Sequence, residues 1–136
     1  MKTLKYASLL FLLLACINIS KAQPPSAPVE MILFEMTQHN IYESSFVGFS
    51  AAPSVQYKRF MQLKQKANAG QLLQYASKHQ NAVVRLYALK ALKEIKSEIP
   101  ASLEQQFKND NGKVSIFIGC IKDMQKVSTV AATYIY

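Results

Sequence analysis

The sequence predicts an all-α domain, a short array of antiparallel helical hairpins with about five to six helices, and three observations carry that expectation. The first is residues 81–96, NAVVRLYALKALKEIK, where Val84, Tyr87, Ala88, Ala91, Leu92 and Ile95 fall within one arc at about 100° per residue. Beyond that stripe, Val83, Leu86 and Leu89 are interspersed with Arg85, Lys90, Lys93 and Lys96, so the helix should touch neighbours on two sides, as stacked helices do. The second is a pattern of short helix, tight turn and longer element over 71–96 that recurs more weakly over 102–124. Leu73 maps to Leu103 and Val83 to Val114, a spacing of 30 to 31 residues. The third is that residues beyond 22 contain one cysteine, Cys120, which can close no internal disulfide, so packing of such faces must hold the domain.

Taken in order, the chain opens with a leader. Lys2 and Lys5 precede an apolar run over 6–17, and Ser20-Lys21-Ala22 ends in the small residue that signal peptidase prefers, which predicts a cleaved signal peptide over 1–22 and a mature start at Gln23. The run is shorter than the roughly 20 residues that span a bilayer. Leu13-Leu14-Ala15-Cys16 also has the form of a lipobox, and the alternative processing would lipidate Cys16 and give an outer-membrane lipoprotein. The cut after Ala22 is favoured because the apolar region continues to Ile19.

Residues 23–29, QPPSAPV, form a proline-rich tether, and the helical domain occupies 30–136. Residues 30–42 suit a short helix, with strand as the alternative, and 44–53, SSFVGFSAAP, reads as a loop. Ser54 caps a helix to about Ala67, with Tyr57, Phe60, Met61 and Leu63 inward, and Gly70 is placed to end it in the left-handed conformation. A short helix follows over 71–78 with Leu72, Leu73 and Ala76 inward. His79-Gln80 is the turn, with His79 near the last free carbonyls, and Asn81 is the N-cap of the central helix. Ser102 with Gln105 makes a capping-box signature ahead of Leu103 and Phe107. The β-branched run from Val114 to Ile118 reads as strand on propensity alone, but the spacing of Phe117, Cys120, Ile121 and Met124 and the repeat both favour helix. On that reading Cys120 is a buried, inert thiol. After a break near 125–128, a last helix ends in Tyr134-Ile135-Tyr136, which needs cover from the N-terminal segment or from a second subunit in a homodimer.

Val84-Arg85, then Ala88, then Ala91-Leu92 resembles the second helix of a HEAT-type repeat, closely over 71–96 and loosely over 102–124. With Val47-Gly48, Arg85-Leu86-Tyr87-Ala88 and Gly119-Cys120, the chain is also similar to small exported HEAT-like proteins of Bacteroidetes bacteria. The resemblance implies a binding or scaffolding role and no reaction. It further implies that Arg85 pairs with an acid of a neighbouring turn; His79-Gln80-Asn81 has none, which leaves Asp110 as the candidate.

Charge narrows the partners. The net +8 of the whole chain becomes +5 once Lys2, Lys5 and Lys21 leave with the leader, and nine basic residues against two acids concentrate in 54–99. A solvated face is one reading of this; the other is an anionic partner held by Lys58, Arg59, Lys66, Arg85, Lys90 and Lys93. For an exported protein that partner is an anionic envelope lipid or polysaccharide, or an acidic protein, sooner than nucleic acid. Tyr57, Tyr75 and Tyr87 lie in the same segment, but Tyr57 and Tyr87 occupy inward arcs.

Catalytic patterns are weak. Gly48-Phe49-Ser50-Ala51-Ala52 lacks the final glycine of a nucleophile elbow, His39 and His79 have no ligand-spaced companions, and the four glycines build no phosphate-cradling loop. No catalytic residue, metal or cofactor is expected. The leading expectation is a non-enzymatic exported module for protein–protein interaction in the cell envelope, taking an envelope protein or peptide in a groove; the alternative is a basic-surface binder of anionic lipid or polysaccharide.

Overall fold

The computed structural model describes residues 28–135. The leader with its cut after Ala22, the Cys16 alternative, most of the proline-rich tether and Tyr136 lie outside the described residues. The described chain runs α1 (Val29–His39), β1 (Tyr42–Val47), β2 (Ala52–Pro53), α2 (Val55–Lys66), α3 (Ala69–Lys78), α4 (Ala82–Glu94), α5 (Ala101–Lys108), β3 (Lys113–Gly119), β4 (Ile121–Lys126) and α6 (Val127–Ile135). A four-stranded mixed sheet of order β2-β1-β3-β4 stands beside the six helices, which corrects the all-α expectation to an α/β fold. The expected array of hairpins therefore stops after one unit. α3 and α4 form the predicted pair, whereas α5 leads into β3 and β4 in place of a second long helix.

Strand wins over 113–126 because period two, not period 3.6, matches what is buried. Val114 and Ile116 enter the core, Ser115 and Phe117 alternate with them, and Cys120, Ile121 and Met124, the residues that supported a helix, are exposed. Gly119, at φ 56°, and Cys120 make the two-residue turn between the directly paired Ile118 and Ile121, with positive φ at the first central position as a type II′ hairpin turn requires. Cys120 is thus an exposed turn thiol, not a buried one.

The expected loop over 44–53 is likewise a hairpin. β1 pairs antiparallel with β2 through Phe46–Pro53 and Val47–Ala52, and parallel with β3 through Tyr42–Ile116 and Glu43–Phe117. The parallel register then slips, so that Val47 meets Gly119. Ser44 occupies the slip: its Oγ accepts from the Gly119 N–H at 3.1 Å and donates to the Phe46 carbonyl at 2.7 Å.

α4 is the centre of the fold. Asn81 caps it, accepting from the N–H groups of Val83 and Val84, and eight of its thirteen residues are buried, on both the main stripe and the opposite side. It packs against α1, α2, α3, α6 and β1, which is why its second apolar row needs no solvent-facing excuse. Tyr87 ties it to the sheet: its hydroxyl donates to the Glu43 carbonyl at 2.8 Å and accepts from the Glu43 N–H at 2.9 Å. Burial, with the Glu43 carboxylate nearby, raises the Tyr87 phenol well above its ordinary pKa, so this link is neutral at any physiological pH.

Several termini differ from expectation. α2 ends at Lys66, and Gly70 lies inside α3, whose N-cap Asn68 forms a reciprocal capping box with Gln71. α5 starts after Pro100, with Ser102 already inside the helix and no side-chain cap. α6 is helical despite its β-branched residues, because Val127, Val130 and Ala131 bury against α4 and α5. Toward its far end Tyr134 is half-buried and meets Tyr42 hydroxyl to hydroxyl.

Candidate functional site

Of the six basic residues of the helical segment, Arg59, Arg85 and Lys90 have partners within the fold. Arg59 donates from Nε to Glu35 at 2.9 Å and from Nη1 to Gln56 at 3.2 Å, which ties α2 to α1. Arg85 donates from Nη2 to Asp110 at 2.6 Å and from Nη1 to the carbonyls of His79 and Gln80 at 3.1 and 2.9 Å. The pairing with Asp110 is the one expected for this arginine. Lys90 lies in a box of rings, its Nζ 4.5 Å from the Tyr57 centroid, 4.8 Å from Phe60 and 5.9 Å from Tyr134. Burial lowers the Lys90 pKa; Glu94, 4.0 Å away, opposes that shift. Lys58 and Lys93 are exposed on α2 and α4, and Lys66 is half-buried at the end of α2. The charges of Arg59, Arg85 and Lys90 thus work inside the fold.

The tyrosines follow the same logic. Tyr87 is fully buried and packs at 4.5 Å from Tyr42 and 5.2 Å from Phe60, while Tyr57 and Tyr75 are half-buried against the core. None stands out from the surface as a platform for bases. Ser50, the serine of the elbow-like run, sits in the exposed turn between β1 and β2. Among the described residues no three His, Cys, Asp or Glu side chains gather as a metal ion would need.

His39 and His79 both have structural partners. His39 Nε2 lies 2.9 Å from Glu43, whose other oxygen accepts from Ser54 at 2.5 Å, so a 6 % exposed carboxylate is held from two sides. His79 Nδ1 accepts from the Asn81 N–H at 3.1 Å, a role at the start of α4 that replaces the expected one at the end of α3. Burial lowers the His79 pKa below its ordinary 6.5, and the Arg85 guanidinium acts in the same direction. The folded state therefore takes up its proton later than the unfolded chain as pH falls. The associated loss of stability begins as pH drops below 6.5 and is complete below the folded value. Comparing urea midpoints at neutral and mildly acidic pH, His79→Gln is expected to lose less stability on acidification than the wild type. An equal loss in both proteins would remove His79 from the pH dependence.

Two surfaces escaped the sequence reading. The first is an open cleft of about 530 Å³ between α3 and α5, where Leu73, Gln74 and Ser77 face Ser102, Leu103 and Gln106, with Lys78 and Pro100 at its rim. Gln106 Nε2 donates to the Ser77 carbonyl at 2.9 Å and fixes the spacing of the two helices. The second is the sheet. The β3–β4 register puts Lys113 opposite Lys126, Ser115 opposite Met124 and Phe117 opposite Lys122 on one face, away from the face carrying Val114 and Ile116. The spacing of Lys122, Met124 and Lys126 by two was visible in the sequence, but only a strand reading gives it meaning. At the turn end, Phe49 is 98 % exposed, Ile121 67 % and Phe46 54 %.

Compared with known proteins, the chain matches no protein-family model and no curated protein.

Proposed function

We propose that the protein is a non-enzymatic, exported interaction module that holds an extended peptide segment of another envelope protein in the α3–α5 cleft. The observation that supports this most is the lining of the cleft. Leu73, Leu103 and Pro100 offer apolar contact, while the Gln74 amide, the Ser102 hydroxyl and the Gln106 amide oxygen offer partners for peptide N–H and C=O groups. Lys78 at the rim suits an acidic side chain. The alternative of an anionic surface held by the helical lysines and arginines loses support from geometry, because Arg59, Arg85 and Lys90 already have partners within the fold.

The test is capture from envelope extract by the chain from Gln23, washed at low and then high salt, beside Gln74→Trp, which fills the cleft from an exposed position. One protein retained by the wild type through about 1 M salt, where the Debye length is about 3 Å, and released by Gln74→Trp is the expected result. Equal retention by both chains, or complete loss at high salt, would overturn the reading.

A further inference from the structure

We propose that the turn end of the sheet, with its lysine-bearing face, docks on an anionic lipid bilayer. Phe49 and Met124 enter the interface, and Lys122, Lys113 and Lys126 meet the lipid phosphates. This surface is separate from the helical basic residues, and the inference does not rest on the peptide cleft.

Apolar exposure comes first. The β1–β2 turn and the β3–β4 turn lie side by side, joined by the Gly48 N–H donating to the Gly119 carbonyl at 2.9 Å. A Cβ on Gly48 would lie 3.9 Å from the Phe117 ring, so the first turn also borders the lysine-bearing face. Phe49, 98 % exposed, occupies the first of these turns, and Met124, 54 % exposed, stands between Lys122 and Lys126 on the lysine-bearing face. Phe49 is a projecting side chain, not the wall of a groove. A fluid interface receives projecting apolar groups without a preformed pocket, which a folded partner would have to supply.

Charge adds direction. Lys113 and Lys126 are direct cross-strand neighbours, an arrangement that repels, and Lys122 follows on the same face with its Nζ 4.6 Å from the Phe117 centroid. The hairpin's acid, Asp123, is on the opposite face, paired with Ile116. The acid of β1 aligned with Phe117 is Glu43, whose carboxylate is engaged by Ser54 and His39. The face is therefore cationic, and at Lys122 it borders a shallow trough of about 440 Å³ lined also by Ile41, Ser115, Ile116, Met124 and the acid Asp123. Cations beside apolar side chains fit a bilayer interface, where phosphate and hydrocarbon are adjacent. A polysaccharide offers the anion alone.

The test is co-sedimentation of the chain from Gln23 with vesicles of phosphatidylcholine and with vesicles that are half phosphatidylglycerol. Binding to the anionic vesicles is expected, with about fivefold loss per lysine and so about 100-fold loss for the combined Lys113→Gln, Lys122→Gln and Lys126→Gln variant. Phe49→Asp with Met124→Asp should weaken binding at least about tenfold. An environment-sensitive dye on Cys120, in the turn joined through Gly119 to the one that carries Phe49, should shift to shorter wavelength on the anionic vesicles. All five positions are exposed, and an unchanged circular dichroism spectrum verifies folding. Absence of vesicle binding, equal binding to neutral vesicles, or binding unaffected by either variant would overturn the proposal. So would a concentration-dependent doubling of mass that Phe49→Asp abolishes, which would assign the tip to a second copy of the chain.

Discussion

Phe60→Ala is expected to destabilise the protein by about 3–5 kcal/mol, read as a fall in the urea midpoint at constant slope. Phe60 is fully buried, its ring 5.2 Å from Tyr87 at an interplanar angle of 24° and 5.2 Å from Tyr57 at 56°. The size of the effect depends on whether the gap can close, and here its main wall cannot move. Tyr87 is held at its hydroxyl by both backbone groups of Glu43, so shifting its ring into the space would break those bonds. The substitution also removes one of the rings around the Lys90 ammonium, leaving a partly desolvated cation with less to stabilise it. Phe60→Leu keeps much of the volume and should lose less than half as much. A loss below about 1 kcal/mol for the alanine variant would mean that α2 and α4 can close over the gap, against the rigid aromatic layer described here.

That layer was legible in the sequence because helical periodicity reports which residues share a face. Phe60 and Leu63 on α2, Leu72 and Ala76 on α3, and both apolar rows within α4 are buried where their spacing puts them, whereas Met61 and Ile95, expected inward by the same spacing, are exposed. The sheet was misread for an equally physical reason. Phe117, Cys120, Ile121 and Met124 have helical spacing, but in this chain three of the four are exposed, and spacing carries structural information only when the residues that share it are buried. The β-branched run beside them was the better witness for 114–118, yet the same argument applied to 127–136 would have been wrong. α6 is a helix because it packs on α4 and α5, a tertiary contact that no local propensity reports. Neither candidate surface could be placed without the fold. The cleft needs α3 and α5 side by side, and the lysine-bearing face needs the register of two strands that had been read as one helix.

Asp110→Ala is expected to be the largest effect of any partly exposed substitution, about 1.5–3 kcal/mol, because this carboxylate both fixes its own turn ahead of β3 and links it to the α3–α4 turn through Arg85. Its Oδ2 accepts from Arg85, which holds the α3–α4 turn through the carbonyls of His79 and Gln80. Its Oδ1 accepts from the Gly112 N–H at 2.9 Å, while the bond from the Ser128 N–H at the start of α6 goes to the Asp110 backbone carbonyl at 3.0 Å and survives the substitution. Side-chain exposures of 21 % for Asp110 and 15 % for Arg85 place the pair between a surface bridge and a buried one, so the loss should fall short of the 3–5 kcal/mol of a fully buried pair broken on one side. Asp110→Asn, which keeps an acceptor for Gly112 but not the charge, should lose about half as much. A double-mutant cycle with Arg85→Ala should give a coupling energy of about 1–2 kcal/mol, and coupling near zero would show that the ion pair is incidental. The cycle has a second readout at His79. Without the Asp110 carboxylate the Arg85 charge acts on the imidazole less opposed, so the His79 pKa, already lowered by burial and by Arg85, should fall further in Asp110→Ala when titrated by NMR. A merely geometric role for Asp110 would change stability and leave that titration in place, whereas a charged clamp moves both.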